Sequence, residues 1–323
     1  MPPFPVNILA ARLPPSFRCL PGGIDTGLIP AWTPIPMTLR LLVVEGNTAA
    51  DRARHAASRG AMPSEAYADV LRQLAPDAVV DLCFPADPGA NLPDRAGLEA
   101  YDGVALTGSS LNLYDMTPDI TAQIDLARAV FAAGTPVFGS CWGLQVLTAA
   151  AGGVVRRNPK GREMGIARRI APNGAGRAHA MLADRPVAFD ALAVHQDEVE
   201  TMAPGTTLLA SNGMSEVQAV EIRSGRGTAW AVQYHPEFSF GEVSAIAGAI
   251  GERLIAEGFF EDEAALGGWR ADLDRLEADP ADRPVAWRHG LDREILDKAR
   301  RRSEIGRWID VMVRPQKSAR GRA

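Results

Sequence analysis

The run Gly139-Ser140-Cys141-Trp142-Gly143-Leu144-Gln145 sets one cysteine between two glycines, directly after the apolar stretch Pro136-Val137-Phe138. A helix-forming stretch, Leu144 to Ala151, follows at once. A residue at a strand-to-helix corner is held in a tight backbone turn, so its neighbours must be very small. The spacing is that of a nucleophile elbow, with sulfur in place of the serine oxygen. At the amino end of a helix, unpaired N–H groups and the helix dipole favour thiolate over thiol. Cys141 is therefore a candidate nucleophile.

A nucleophilic thiol needs a base. Tyr234-His235-Pro236-Glu237 follows the β-rich run Thr228–Gln233. Pro236 biases His235 toward extended backbone, and in an extended segment residues i and i+2 face one side. The spacing predicts that Glu237 orients the imidazole while its other nitrogen faces outward, as base-plus-orienter pairs do. A lone His-Pro-Glu is also what a strand running into a loop looks like; the cysteine elbow gives it a chemical reading. Cys19, Cys83 and Cys141 are odd in number and far apart, which argues against a disulfide framework or zinc knuckle. That usage fits a reducing cytoplasm. Cys83 sits in an apolar run and reads as an inert core thiol. His55, His179 and His289 have no metal-site spacing, so neither metal nor cofactor is expected.

The elements that must position these groups begin at Met37, which also reads as a plausible translation start. Residues 1–36 carry prolines at 2, 3, 5, 14, 15, 21, 30, 34 and 36 and read as a poorly ordered leader. Within it, Pro21-Gly22-Gly23-Ile24-Asp25-Thr26 echoes a phosphate-cradling loop but lacks its first serine and a preceding strand. Strands are predicted at Leu39–Val44, Ala78–Phe84, Val104–Thr107 and Pro136–Ser140, alternating with helices at Ala49–Arg59, Ser64–Leu74 and Asp119–Ala133. This alternation is the signature of a parallel sheet with crossover helices. Beyond the elbow helix, extended runs at Val154–Arg156, Gly165–Ile170, Val187–Val194, Thr207–Ala210, Val217–Ile222 and Thr228–Gln233 should continue the sheet with antiparallel pieces. Past Ser239 the chain reads as helical. Leu291, Ile295, Ile305, Ile309 and Met312 mark one final amphipathic helix, and the basic run Arg314 to Arg322 reads as a solvated tail. Trp269, Trp287 and Trp308 read as packing anchors. The formal charge of -5 is mild and no apolar run reaches the length of a membrane span, so neither a nucleic-acid nor a membrane partner is expected.

Together these segments resemble the class I glutamine amidotransferases, a family with a Cys–His–Glu triad on a flavodoxin-like α/β sheet. The resemblance rests on the Cys141 elbow, on His235-Pro236-Glu237, on Val104-Ala105-Leu106-Thr107-Gly108-Ser109-Ser110 and on Val194-His195-Gln196-Asp197-Glu198-Val199. It implies a mixed, mostly parallel sheet with flanking helices over residues 37–245, with 246–323 as a helical extension. It implies Cys141 as nucleophile, His235 as base and then acid, and Glu237 as orienter. Backbone N–H groups of Trp142 and Ser109 would form the oxyanion hole. Gly108, the Gln145 side chain and the backbone around His195 and Gln196 would hold a glutamyl substrate. For His195 the residues alone also allow a structural, capping role. Synthetase-linked members usually carry Gly-Gly-Pro where this chain has Gly108-Ser109-Ser110, which puts partner-gated flipping of that loop in question.

The implied reaction is attack of Cys141 on a γ-glutamyl amide, glutamine first among candidates, giving a thioester and releasing ammonia or an amine. The ammonia could pass to a synthetase or acceptor subunit in trans, because the residues after 240 are too few for a synthetase domain. The alternative is a γ-glutamyl peptidase or hydrolase with water as the only acceptor. A non-catalytic regulatory module on the same fold is a third reading, disfavoured because all three triad residues are present. A papain-like protease does not suit the α/β alternation.

Overall fold

In the computed structural model, which describes residues 38–90 and 92–321, the β-branched runs of the first half become parallel strands. The leader, its Pro21–Thr26 loop and Met37 lie outside the described residues. β1 (Leu39–Val44) is followed by α1 (Ala49–Arg59), α2 (Pro63–Leu74), β2 (Ala78–Cys83), α3 (Arg95–Leu98) and β3 (Gly103–Leu106). Then come α4 (Pro118–Ala133), β4 (Val137–Ser140) and α5 (Trp142–Ala150). β1 pairs in parallel with β2 and β3, and β3 with β4. Alternation along β1 sends Leu39, Leu41 and Val43 into one hydrophobic layer and Leu42 and Val44 into the other. A parallel sheet covered on both faces requires such two-sided apolar strands. Local signals set the helix limits. Thr48 caps α1 by accepting the Asp51 N–H, and Gly60, at φ +79°, ends it.

The second half adds β5 (Val154–Arg157), β6 (Glu163–Pro172), α6 (Gly174–Ala178), β7 (Phe189–His195) and β8 (Asp197–Thr201). β9 (Thr206–Ser211), β10 (Ala219–Ser224) and β11 (Gly227–Val232) complete it. The sheet runs β2-β1-β3-β4-β11-β10-β9-β6-β7, with β11 parallel to β4 and everything beyond β11 antiparallel. The Cys141 elbow thus lies at the carboxyl end of β4, beside the end of β11. β8 escaped the sequence reading because its acids mask a strand. Its pairing with β5 explains them: Arg156 of β5 meets Glu198 and Glu200 across the two-stranded ladder.

The carboxy-terminal region comprises α7 (Phe240–Ala249), α8 (Gly251–Ala256), α9 (Glu263–Ala278) and α10 (Arg283–Arg288). α11 (Arg293–Leu296), α12 (Lys298–Arg301), α13 (Ser303–Trp308), a π turn over Ile309–Val313 and α14 (Arg314–Ala319) follow. The expected single amphipathic helix is broken because Asp292 and Asp297 each cap a new start. Its apolar residues are nonetheless core: Ile305, Trp308, Ile309 and Val313 pack in the layer that holds Leu39, Leu41 and Val43. Trp287 is a second correction, since it is 68% exposed and faces Arg283 rather than the core. Among the described residues no helix is long and apolar enough to cross a membrane.

The basic end is anchored rather than solvated, which overturns the expected tail. Arg314 forks onto both oxygens of Asp77 at 3.0 Å. Lys317 is buried, donating to the Thr38 carbonyl and to Asp102 Oδ2. Arg320 reaches the carbonyls of Gly134 and Tyr101. A charge-periodicity reading of one chain segment cannot show acceptors that lie 186 residues or more away. Removing one member of a buried ion pair strands the other. Lys317→Met should therefore destabilise the protein by about 3 kcal/mol in urea titration; a change under about 0.5 kcal/mol would mean the tail is solvated after all.

Candidate active site

The elbow is built by steric exclusion. Cys141 sits at φ 51°, ψ -101°, a conformation that L-residues avoid and that costs on the order of 1–3 kcal/mol. A side chain at Gly139 would lie 2.7 Å from the Gly143 carbonyl carbon, and one at Gly143 would lie 2.7 Å from the Leu106 carbonyl oxygen. Both glycines are therefore dictated by the close approach of α5 to β3 and β4. The Cys141 N–H donates to the Val232 carbonyl at 2.8 Å, which ties the corner to β11. The buried thiol lies 3.7 Å from the Val194 carbonyl oxygen.

His235 arrives just after β11 and is fixed by its own N–H, which donates to the Leu192 carbonyl at 2.8 Å. The backbone then turns: the Phe238 N–H donates back to the His235 carbonyl at 3.2 Å. Pro236 therefore starts a turn, its favoured place, rather than an extended segment. His235 and Glu237 are thus brought together by a turn and not by the expected i, i+2 alternation of an extended strand. Nδ1–H of His235 donates to Glu237 Oε1 at 2.7 Å. The Phe238 ring stacks on the imidazole at 3.7 Å, within 5° of parallel, a contact that the sequence reading did not identify. With Nδ1 committed, Nε2 is the nitrogen left to act on Cys141, whose charge the imidazole feels. Burial alone would depress the His235 pKa, but Glu237 and Cys141 outweigh it and push it up to about 10.

The Gly108–Ser109 loop is held by groups the sequence reading missed. Glu45, fully buried at the end of β1, accepts the Asn47 N–H, Asn47 Nδ2 and the Ser64 N–H. Asn47 Nδ2 also donates to the Gly108 carbonyl at 3.3 Å, and the Thr107 hydroxyl donates to the same oxygen at 2.9 Å. In a trans peptide the N–H opposes the C=O, so this double tether turns the Ser109 N–H the other way. Gly108 is required by contact, since a Cβ there would lie 2.6 Å from His235 Cε1. Trp142 is locked by its indole N–H, which donates to Gln123 at 2.7 Å. A glutamate directly after an apolar strand was the one available signal for this network.

At the other end of the site, Gln145 Nε2 donates to the Asp197 carbonyl and to Gln233. His195 turns both ring nitrogens to internal acceptors, Nδ1 to the Asp197 carbonyl and Nε2 to Glu163 at 2.8 Å. Its ring is buried between these two partners at the end of β7. Gln196 Oε1 is bridged by Arg162 and Arg253. Asp197 accepts from Tyr114, and burial pushes its carboxyl pKa upward. One cavity of about 470 Å³ gathers Gly108, Ser109, Cys141, Gln145, His195, Gln196, His235 and Glu237. Among the described residues no cluster of His, Cys, Asp or Glu could hold a metal ion.

Because its folded pKa exceeds the unfolded value, His235 contributes stability that is full below about pH 6.5 and is lost as pH rises toward 10. Glu237→Gln removes the chief favourable cause. The unfolding free energy of wild type relative to this variant should therefore shrink between pH 6.5 and 10 in parallel urea titrations. A pH-independent difference would contradict the ion pair.

The chain is similar in sequence and in fold to known proteins. The glutamine amidotransferase class-I family model matches residues 83–245, half of the chain. A γ-glutamyl-L-1-hydroxyisopropylamide hydrolase of Pseudomonas sp is 34% identical over 86% of this chain and 94% of its own length. γ-Glutamyl peptidase 3 of Arabidopsis thaliana is 29% identical over 57% of this chain and 74% of its own. In fold, a glutamine amidotransferase of Thermotoga maritima superposes with a TM-score of 0.58 at 18% identity, covering 84% of this chain and 99% of that one. A family model across half the sequence, and a relative matched almost end to end, place this chain in the class I glutamine amidotransferase family.

Proposed function

We propose that this protein hydrolyses γ-glutamyl amides through a glutamyl thioester on Cys141, with water as the final acceptor. The observation that carries the reading is the Cys141 elbow facing an imidazole that Glu237 orients at 2.7 Å. Sγ attacks the γ-carbonyl carbon, and the N–H groups of Trp142 and Ser109 receive the developing oxyanion. Such donors each account for roughly a hundredfold or more in rate. As the C–N bond breaks, His235 gives its Nε2 proton to the departing nitrogen, which leaves as ammonia or an amine. Water then attacks the thioester, returns a proton to His235, and glutamate leaves as the C–S bond breaks. Gln145 and the backbone at His195–Gln196 hold the α-amino and α-carboxylate end.

Hydrolysis, rather than ammonia delivery to a subunit in trans, is supported by the oxyanion loop. Its Gly108 carbonyl is already tethered by Thr107 and Asn47, so the Ser109 N–H needs no partner to set it. The Pseudomonas relative, named as a hydrolase of a γ-glutamyl amide, points the same way.

The purified protein alone should release amine from γ-glutamyl amides, and Cys141→Ala should lower kcat/KM by at least about a thousandfold. Turnover that survives in Cys141→Ala would refute the mechanism; turnover that appears only with an added synthetase would refute the stand-alone reading. Gly108→Ala, which must displace His235, should cost about a hundredfold in kcat/KM while leaving the fold intact by circular dichroism.

A further inference from the structure

The cavity around Cys141 is larger than glutamine needs; its volume of about 470 Å³ falls in the range of drug-sized ligands. Its two ends differ. If His235 protonates the departing nitrogen, the leaving group must extend along the His235 side, away from Gln145 and Asp197. That side is walled by Phe238, Ile246 and Ile250 and by one face of α1.

One face of α1 lines the cavity with polar side chains only. Asp51, Arg54, His55, Ser58 and Arg59 follow the i, i+3, i+4, i+7, i+8 pattern and all line the cavity. Every one is polar; Asp51 is buried, His55 and Arg59 are half-buried, and Arg54 and Ser58 are exposed at the rim. Two of the charges are satisfied internally, since Arg54 pairs with Asp51. Arg59 enters no ion pair among the described residues, and its Nε is buried with no hydrogen-bond partner. His55 Nδ1, one turn away, is likewise buried and unpartnered. Glu242 of α7 is the acid whose charge Arg59 feels, and it is already committed to the Ser239 N–H at the start of its own helix. A half-buried cationic donor that lines a cavity and has no protein acceptor suits an external anion.

We infer that Arg59, with His55 beside it, binds a carboxylate on the departing amine, so that the preferred substrates are γ-glutamyl amino acids or short γ-glutamyl peptides. This inference rests on the proposed γ-glutamyl hydrolysis and adds the chemistry of the leaving group. The apolar wall of Phe238, Ile246 and Ile250 takes the side chain of that amino acid, and Arg59 takes its carboxylate. Burial, helped by Arg59 and Arg54, lowers the His55 pKa to about 4, so the imidazole is neutral at pH 7 and serves as a hydrogen-bonding group rather than a second cation.

The test compares two substrates that differ in one group: γ-glutamyl-L-alanine and its 1-hydroxyisopropylamide counterpart, in which a hydroxymethyl replaces the carboxylate. A γ-glutamyl-alanyl-glycine arm separates an amino-acid site from a peptide site by which free carboxylate gives the higher kcat/KM. In wild type the kcat/KM ratio of acid to alcohol should exceed about tenfold, the effect of one charge-assisted hydrogen bond. In Arg59→Met that ratio should collapse toward one, chiefly through KM, and Arg59→Lys should restore part of it. A wild-type ratio near one, or a ratio unchanged in Arg59→Met, overturns the carboxylate site while leaving γ-glutamyl hydrolysis standing. No turnover of any of the three substrates overturns the hydrolysis reading and this inference with it.

Discussion

Cys141 is forced into a left-handed backbone conformation, and much of the surrounding structure exists to keep it there. The corner is possible only because α5 presses so closely on β3 and β4 that neither Gly139 nor Gly143 can carry a side chain. The cost of the strained φ, about 1–3 kcal/mol, is offset by the Cys141 N–H bond to β11 and by packing of Trp142 and Leu144 in the core. The result is a thiol at the mouth of the sheet whose position is set by rigid elements rather than by a loop.

The imidazole opposite it depends on a second, longer chain of contacts. Tyr234, one residue before His235, donates its hydroxyl to Glu304 at 2.8 Å. Glu304 is fully buried and is also gripped by Arg185 at 2.7 Å. Glu304 belongs to α13, so the carboxy-terminal helices brace the turn that carries His235 and Glu237. The helices that close the chain are thus linked to the site's geometry as well as to the core.

The spacing of the chemical residues was legible in the sequence because covalent geometry governs it. Glycines flanking a cysteine constrain the backbone wherever the chain goes, whereas a proline after a histidine allows both an extended segment and the turn found here. The parallel strands were legible for a similar reason, since β1 must be apolar on both faces. What stayed hidden depends on long-range partners. β8 looks too acidic for a strand until Arg156 is set across from it. Lys317 looks like tail until Asp102 is found beside it. Asn47 and Glu45 gave no motif, although they hold the loop that presents the Ser109 N–H. The acceptors of the His195 ring, Glu163 and the Asp197 carbonyl, likewise gave no signal in the sequence.

The proposed reaction passes through a covalent glutamyl group on Cys141, and that species can be seen directly. The protein would be mixed with a γ-glutamyl amide, quenched in acid within the first turnovers, digested, and the Cys141 peptide weighed by mass spectrometry. The thioester mechanism predicts a mass increase of one glutamyl residue on Cys141, labile to hydroxylamine, and absent from Cys141→Ala. Steady turnover of the same substrate with Cys141 unmodified at every quench time, or with the glutamyl group on another residue, would contradict it.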